Sequence, residues 1–508
     1  MTPSPRWSRW LPWGSLGAFS ALWLARWPSF PLVLDPSYHL FIAEQVVSAG
    51  GPIGYEWWEY APVGRPHLYP PVLHLLLAGL LKVSGSPVLA IRVISVTLLP
   101  LLLMTLFLVT RRLLTPSIAL TSLWMGMVPF AFHLHSAVAL AATLGMVELL
   151  WFFQAVEAQR PIAAGLLIAL VFYSHLGLPW MTILAVGCYA GMRPALRRQL
   201  AKASWGLLLV LPWWWHLWSY RAAMHQFPRY ENALIELTPL LYGIALVGAW
   251  RCWRLKGRFF WPLACWVGFL PLASGFRYRW LVGEGMLPVI LLTGVGADWV
   301  AERMATARTT EGTRALAGVT LFLALCLSPT LAARDGGMRW VWPDGAPLHL
   351  VGVPWAKPKT LEAGALTPGM SRLAERVAEL TQPGDILWSN APHALGLIAA
   401  LAHRPMSCAM LSEIAPAKPA DPLDAAQWVV WFKLDPTPGV VAMSRLKRAP
   451  FHPVAEDDLA MIFRREGERQ TARIPQAVLP LGIAWMLLAV VIGLAAWDLS
   501  RHSAAIPV

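Results

Sequence analysis

The chain has 508 residues, of which 57% are hydrophobic and only 14% are charged, and its formal net charge is +13. Apolar runs recur along most of its length, which excludes a water-soluble protein because no soluble core uses so much apolar sequence. The basic residues stand in short clusters between these runs, as the positive-inside rule requires, which argues against nucleic acid as a partner. The composition therefore predicts an α-helical polytopic membrane protein in contact with membrane lipids.

The hydropathy pattern predicts about twelve transmembrane helices. Their approximate bounds are 10–33, 87–110, 114–132, 138–156, 161–177, 179–192, 203–220, 234–254, 259–275, 280–300, 314–334 and 476–497. Residues 69–82 are apolar but too few to cross a bilayer unaided, so we predict a re-entrant or interfacial segment on the outer side. With this choice, all the basic clusters fall on the side of Arg6 and Arg9, which the positive-inside rule places in the cytoplasm.

This topology divides the chain into three parts. Residues 1–334 form a transmembrane domain whose first outer loop is 34–86. Residues 335–475 are predicted to form a small extracytoplasmic α/β domain, with helices near 366–380 and 393–402 and strands near 385–390, 428–433 and 460–465. Residues 476–508 supply a final transmembrane helix and a cytoplasmic tail. The five cysteines have no spacing typical of a disulfide framework or a zinc site.

Polar residues gather at the outer mouth of the first apolar stretches. The segment Asp35-Pro-Ser-Tyr-His39 follows the first span directly, and His67-Leu-Tyr-Pro-Pro71 precedes another apolar run. His39 lies one helical turn after Asp35 on the same face. A carboxylate and a histidine at this depth suggest a site where lipid meets water, because ionisable groups near hydrocarbon usually mark substrate paths. Asp35 also suits a helix cap, with Pro36 at the first helical position.

The Asp35 motif in this topology resembles the GT-C superfamily of membrane glycosyltransferases, and within it the catalytic subunit of oligosaccharyltransferases and its prokaryotic relatives. The resemblance covers residues 10–335, and its best-matched stretch is 35–82. It implies a membrane glycosyltransferase that takes a sugar from a polyprenyl-phosphate carrier and passes it to a glycan, lipid or protein acceptor. It also implies an active site on the outside of a prokaryotic cytoplasmic membrane, with Asp35 as the base or as the carboxylate that orients the acceptor.

Arginines that could bind the donor phosphate flank Tyr278 at the outer start of a late span. Arg277 and Arg279 carry guanidinium forks, which bind phosphate with bidentate, charge-assisted hydrogen bonds. The resemblance places such an arginine at the outer end of a late helix, and we favour Arg279. His39 is a further candidate for donor phosphate. The alternative is that both arginines extend to lipid headgroups.

Other candidate site residues lie on the same outer face. Glu284 lies deeper in the late span and needs a partner, which one of the arginines could provide. Glu231 falls in an outer loop where the resemblance implies an acceptor-binding glutamate, although plain solvent exposure is the simpler interpretation. The remaining candidates are His133, His135, His175 and Tyr69. Paired histidines such as the first two are more often interfacial than catalytic.

One departure from the resembled enzymes concerns metal. Their second acidic motif helps to hold a divalent ion, but residues 133–143 of this chain contain no Asp or Glu. Magnesium and manganese prefer several oxygen ligands, which Asp35 alone cannot supply. We therefore expect no cofactor and a polyprenyl monophosphate donor, with a Mg or Mn ion as the alternative.

Two other classes of protein stay open. A polysaccharide ligase or polymerase shares the donor chemistry but does not place an Asp-led motif in its first loop. A lipid or sugar transporter usually has two similar halves with a site near the midplane, whereas this chain shows no repeat. A GT-C relative that has lost activity is the third alternative.

Overall fold

The computed structural model describes residues 6–33, 35–224, 236–304, 311–334, 337–343, 345–351, 365–410, 414–416, 421–433, 446, 450–467 and 470–501. Its first helices are Arg6–Ala25 (α1), Asp35–Ala49 (α2), Val72–Ser84 (α3), Pro87–Leu113 (α4), Pro116–Gly126 (α5), Phe130–Val138 (α6), Leu140–Glu157 (α7), Pro161–Ser174 (α8) and Leu178–Met192 (α9). They are followed by Arg197–Ala203 (α10), Leu211–Ser219 (α11), Pro239–Leu255 (α12), Phe260–Phe269 (α13), Pro271–Gly275 (α14), Arg277–Leu281 (α15), Met286–Met304 (α16) and Glu311–Cys326 (α17). The C-terminal part contains Ala346–Val351 (α18), Pro368–Leu380 (α19), Pro392–Ala402 (α20), Pro422–Ala425 (α21) and Leu481–Ser500 (α22).

Within the described residues, four helical segments are long and apolar enough to cross a membrane. They are Pro87–Leu113, Leu140–Glu157, Arg277–Met304 and Leu481–Ser500. Five shorter apolar helices accompany them: Val72–Ser84, Pro161–Ser174, Leu178–Met192, Ala315–Cys326 and Pro392–Ala402. The mostly helical architecture is as predicted, but the count of about twelve spans is not confirmed.

Proline and glycine divide several of the predicted spans. The predicted span 114–132 separates into α5 and α6 because Pro129 forces the preceding residue out of the α region. The predicted span 259–275 likewise separates into α13 and α14 at Pro271, which cannot donate a backbone hydrogen bond. The short apolar segment predicted at 69–82 is α3, which ends at Gly85 in the left-handed conformation, with φ of 63°.

The strands form three small sheets. Tyr55–Glu56 (β1) and Arg65–Pro66 (β2) pair in the first outer loop, and Glu236–Leu237 (β3), Thr330–Arg334 (β4) and Gly337–Val341 (β5) form an antiparallel sheet. The C-terminal sheet contains Leu387–Ser389 (β6), Trp428–Phe432 (β7), Phe451–Glu456 (β8) and Ala460–Arg465 (β9), in the order β6-β7-β9-β8. The predicted C-terminal sheet region is therefore present. The β4–β5 hairpin and β8 were not predicted.

The first outer loop packs against the C-terminal sheet region. Met406 donates a backbone hydrogen bond to the Trp58 carbonyl over 2.7 Å and accepts one from Ala61 over 3.0 Å. Helix α2 lies between α3 and α20, and Glu44 of α2 pairs with His403 just after α20 over 3.0 Å. These contacts fix α2, and with it the position of Asp35 at its first turn.

Candidate functional site

Asp35 is the first residue of α2 and is half-buried. A carboxylate here complements the positive end of the helix dipole. Tyr69, from the first outer loop, is one of the titratable groups that interact with it electrostatically. Burial raises the pKa of the Tyr69 phenol, and the Asp35 carboxylate raises it further, whereas Arg279 acts in the opposite direction. Tyr69 therefore interacts electrostatically with both the carboxylate of the first loop and the guanidinium of the late span.

A row of buried histidines runs behind Asp35. His39 Nδ1 lies 3.0 Å from His74 Nε2, and the His74 ring lies 5.2 Å from the His67 ring between centroids. The Tyr69 ring packs on His39 with 5.0 Å between centroids. Burial lowers the pKa of His39 to about 3, with smaller contributions from His175 and His67. His39 is therefore a neutral imidazole, and the His39–His74 contact is a hydrogen bond in which one ring donates and the other accepts.

The row ends in a buried charge cluster in the first outer loop. Glu56 accepts hydrogen bonds from Arg65 Nε over 2.9 Å and Tyr38 over 3.1 Å, and it contacts His67 Nδ1 over 2.6 Å. Arg65 also pairs with Glu59, and all three charged side chains are fully buried. A buried guanidinium with two carboxylates is stable only when its charge is balanced, so the cluster rigidly anchors the loop that carries Tyr69.

A second group of side chains centres on Arg279, on α15, and Glu284, between α15 and α16. Arg279 donates from Nη1 to Glu284 Oε1 over 2.9 Å and from Nε to the Tyr278 hydroxyl over 2.8 Å. Glu284 is almost fully buried, whereas 29% of the Arg279 side chain is exposed. The carboxylate therefore orients a guanidinium that remains partly exposed.

Two histidines complete this group. His175 Nδ1 accepts backbone hydrogen bonds from Gly177 and Leu178, and its Nε2 lies 3.3 Å from Arg279 Nη1. That Nε2 is 3.8 Å from Glu284, and His135 Nε2 is 3.7 Å from the other carboxylate oxygen. Arg279, His135 and His175 thus surround the buried carboxylate of Glu284. Tyr69 interacts electrostatically with both Asp35 and Glu284, which connects this group to the first loop.

Most of the residues proposed from the sequence thus come together: Asp35, His39, Tyr69, His135, His175, Arg279 and Glu284. Three others do not join them. His133 Nε2 donates to the Gly126 carbonyl over 2.7 Å, and its ring packs on Phe19, so it occupies a packing position. Arg277 is exposed, and no contact in the described part of the chain joins it to this group. Glu231 lies outside the described residues.

The buried cluster of Glu56, Glu59 and Arg65, with the neighbouring His74, was not singled out from the sequence, although the segment that begins at His67 was. The available signal was the concentration of two carboxylates and one arginine in an aromatic loop, where unpaired charges would be costly. Spacing gave no further clue, because Glu59 accepts a hydrogen bond from Met410, 351 residues away.

In the part of the chain that the structure describes, no three His, Cys, Asp or Glu side chains are grouped so that they could hold a metal ion. Glu284, a carboxylate that could assist Asp35, is already paired with Arg279. Metal-independent transfer therefore stays a prediction, since magnesium and manganese prefer several oxygen ligands.

Comparisons with known proteins find similarity in structure alone. No family model matches the sequence, and no curated protein sequence matches it significantly. The apo crystal structure of ArnT from Cupriavidus metallidurans superposes with a TM-score of 0.53 at 13% identity, covering 89% of this chain and 97% of that one. The archaeal oligosaccharyltransferase AglB from Archaeoglobus fulgidus, in complex with an inhibitory peptide and a dolichol-phosphate, superposes with a TM-score of 0.52 at 12% identity.

The AglB match covers 84% of this chain and 70% of AglB. In another crystal structure of the archaeal enzyme, with Zn and sulfate, this chain spans only 64% of that protein's length. The fold is that of a GT-C-like membrane protein, which confirms the resemblance drawn from the Asp35 motif.

Proposed function

We propose that this chain is a membrane glycosyltransferase that transfers a sugar from a polyprenyl-phosphate donor to an acceptor on the outer side of the membrane. The observation that carries the proposal is that Asp35 and Arg279 both interact electrostatically with Tyr69, while Glu284 holds the partly exposed Arg279 guanidinium at 2.9 Å. The fold supports it, because AglB and ArnT superpose on most of this chain.

In the proposed reaction, an acceptor hydroxyl attacks the anomeric carbon of the donor sugar. The bond from this carbon to the phosphate oxygen breaks, and the hydroxyl proton passes to Asp35 as the general base. The phosphate leaves with an additional negative charge, which Arg279 stabilises through its remaining N–H donors. His39, a neutral imidazole behind Asp35, orients the phosphate or the carboxylate by a hydrogen bond rather than by charge.

The fixed geometry of the site favours catalysis over simple binding. Glu284 holds Arg279, and the Glu56–Arg65 pair holds the loop of Tyr69, so neither group must reorganise when charge develops. We place the reaction on the outer face of a prokaryotic cytoplasmic membrane. The acceptor class, whether glycan, lipid or protein, is left to experiment.

The test uses the purified full-length chain in lipid nanodiscs with polyprenyl-monophosphate sugars as donors and a panel of acceptors. Asp35→Asn should reduce sugar transfer by about 10²–10⁴-fold, because the swap keeps size and removes the base. Binding of the donor should be retained. Asp298→Asn is the matched control, since Asp298 bonds with Ser117 away from the site, and it should transfer normally.

Undiminished turnover in Asp35→Asn would contradict the proposed role of Asp35. Donor binding without transfer by the unaltered chain, across all acceptors, would instead favour a transporter or an inactive relative.

A further inference from the structure

A cavity of about 480 Å³ lies between α3, α4, α7, α8 and α22. Most of its lining is aliphatic, including Leu101, Leu144, Leu167, Leu488, Ile492 and Leu499. Helix α22 packs on α8 and α3 but faces α4 and α7 across this space. The cavity is open at the protein surface, and an apolar groove of this size within a membrane domain suits a hydrocarbon chain.

On α4 and α22, the cavity lining lies towards the end that the predicted topology places in the cytoplasm. Its lining on α4 runs from Leu101 to Arg112, and its lining on α22 runs from Leu488 to Ser500. At 1.5 Å per helical residue these intervals span about 16–18 Å. One leaflet of the hydrocarbon core is about 15 Å thick, so the cavity matches a single acyl chain of the inner leaflet.

Charge along the wall indicates which end takes a headgroup. Arg112 lies at the cytoplasmic end, exposed, with its guanidinium 5.3 Å from the Trp151 ring and its Nη1 donating to Gln154 over 3.0 Å. Within the described residues Arg112 has no carboxylate partner, and the exposed Arg111 and Arg501 lie at the same end.

The acidic lining residue lies further towards the outer side. Glu148, in the middle of α7, accepts a hydrogen bond from the Ser174 hydroxyl over 2.7 Å and lines the wall. Arg112 favours a phosphate at the inner end, because a guanidinium binds phosphate with charge-assisted hydrogen bonds. The phosphate of a donor lipid is proposed to meet Arg279, which does not line this cavity.

We propose that this cavity binds an anionic glycerophospholipid of the inner leaflet, with its phosphate on Arg112 and one acyl chain between α22 and the helices α4 and α7. The site is independent of the proposed transfer reaction. Only 22% of the most apolar window of α22 is buried in the protein, so a bound lipid would supply packing that this helix otherwise lacks.

The experiment is native mass spectrometry of the purified full-length chain titrated with dioleoyl phosphatidylglycerol or dioleoyl phosphatidylcholine. Phosphatidylglycerol should bind more tightly, and Arg112→Gln should weaken it about five- to ten-fold. Arg254→Gln is the matched control, because Arg254 is also exposed at the inner side and stacks on a tryptophan, at 5.7 Å, but does not line the cavity.

A second variant tests the part of the cavity that is proposed to bind the acyl chain of the lipid. Ala496 lines it, so Ala496→Trp should fill the space and reduce binding of phosphatidylglycerol. Equal binding of the two lipids, or equal affinity in Arg112→Gln and Arg254→Gln, would overturn the proposal. Competitive displacement of phosphatidylglycerol by a polyprenyl phosphate would overturn it too, and would assign the cavity to the donor tail.

Discussion

Arg279 Nη1 donates a hydrogen bond to Glu284 Oε1 over 2.9 Å, and this pair fixes how the candidate site presents its positive charge. Nε is taken by the Tyr278 hydroxyl, which leaves Nη2 without a hydrogen-bond partner among the described residues. A guanidinium held by two hydrogen bonds can bind a phosphate through Nη2 and loses little further side-chain entropy when it does so. A lysine ammonium has no such fork, so it could not keep both contacts and still reach the phosphate.

The first prediction concerns this fork. Arg279→Ala should reduce sugar transfer by about 10²–10³-fold, the typical effect of removing one donor that stabilises developing negative charge. Arg279→Lys should lose less transfer activity, because it keeps the positive charge. The activity of both variants is measured as the steady-state kcat and the KM for the donor. Arg277→Ala is the control, since Arg277 is exposed, and it should remain close to wild type; an equal loss in Arg277→Ala would reject the assignment of Arg279.

The second prediction separates the two carboxylates that flank Arg65. Burial raises the pKa of Glu56, but Arg65 and His67 more than offset it and leave the pKa low, so Glu56 is ionised. Burial also raises the pKa of Glu59; Arg65 opposes the rise and Glu56 adds to it, leaving the pKa high, so Glu59 holds a proton near neutral pH. Glu56→Gln should therefore leave a buried guanidinium without its counter-charge, at a cost of about 3–5 kcal/mol.

Glu59→Gln should cost less than about 1 kcal/mol, because an amide replaces a neutral carboxyl of the same shape and can still accept from Met410. Thermal unfolding of the purified variants at neutral pH measures the difference. Equal destabilisation by both substitutions would contradict the prediction that Glu56 is ionised and Glu59 is protonated.

These residues also show what could be predicted from the sequence. The apolar composition and the Asp35 motif were sufficient for the membrane class and the GT-C-like fold, because hydropathy and helix starts are local properties. The grouping around Arg65 could not be predicted in this way. Arg65 donates to the Ile414 carbonyl, 349 residues away, and no periodicity in one sequence encodes such a contact.

The count of about twelve spans is not confirmed for a related reason. A hydropathy window counts apolar residues but does not detect where Pro129 and Pro271 interrupt the helical hydrogen bonds. The bounds of β9, in contrast, were predicted as residues 460–465 and observed as Ala460–Arg465, because that strand combines an apolar run with clear flanking turns.

The third prediction concerns pH and the contact between α2 and the C-terminal region. The hydrogen bond to Glu44 raises the pKa of His403. A histidine whose pKa is higher in the folded state stabilises that state fully below its unfolded pKa of about 6.5, and the contribution is lost as pH rises through the folded value. His403→Gln should therefore lower the unfolding midpoint at about pH 5.5 and leave it nearly unchanged at about pH 8.5.

The His403 effect should be modest, because 52% of that side chain is exposed and solvent screens the pair. His452→Gln is the control, since His452 pairs with Glu466 over 3.4 Å within the C-terminal region and does not contact α2. A His403→Gln loss that is the same at both pH values would indicate packing rather than charge.

The fourth prediction is the topology: the C-terminal sheet region lies outside and the end of α22 lies inside. A membrane-impermeant maleimide applied to intact cells should label Glu379→Cys, whose side chain is 66% exposed, in a cysteine-free background. It should not label Ser500→Cys until the membrane is permeabilised. Ser37 is unsuitable for this test because it is fully buried. Labelling of Ser500→Cys in intact cells would reverse the orientation.

The last prediction concerns metal. Glu284 is bound to Arg279, so we expect phosphate charge to be neutralised by side chains such as that arginine rather than by a carboxylate-held ion. Sugar transfer should therefore persist in excess EDTA and should not rise when magnesium or manganese is added. Arg279→Ala is the internal comparison, because its loss of activity should not be rescued by either ion. Activity that disappears in EDTA and returns with manganese would show that other residues, including those outside the described ranges, complete a metal site with Asp35.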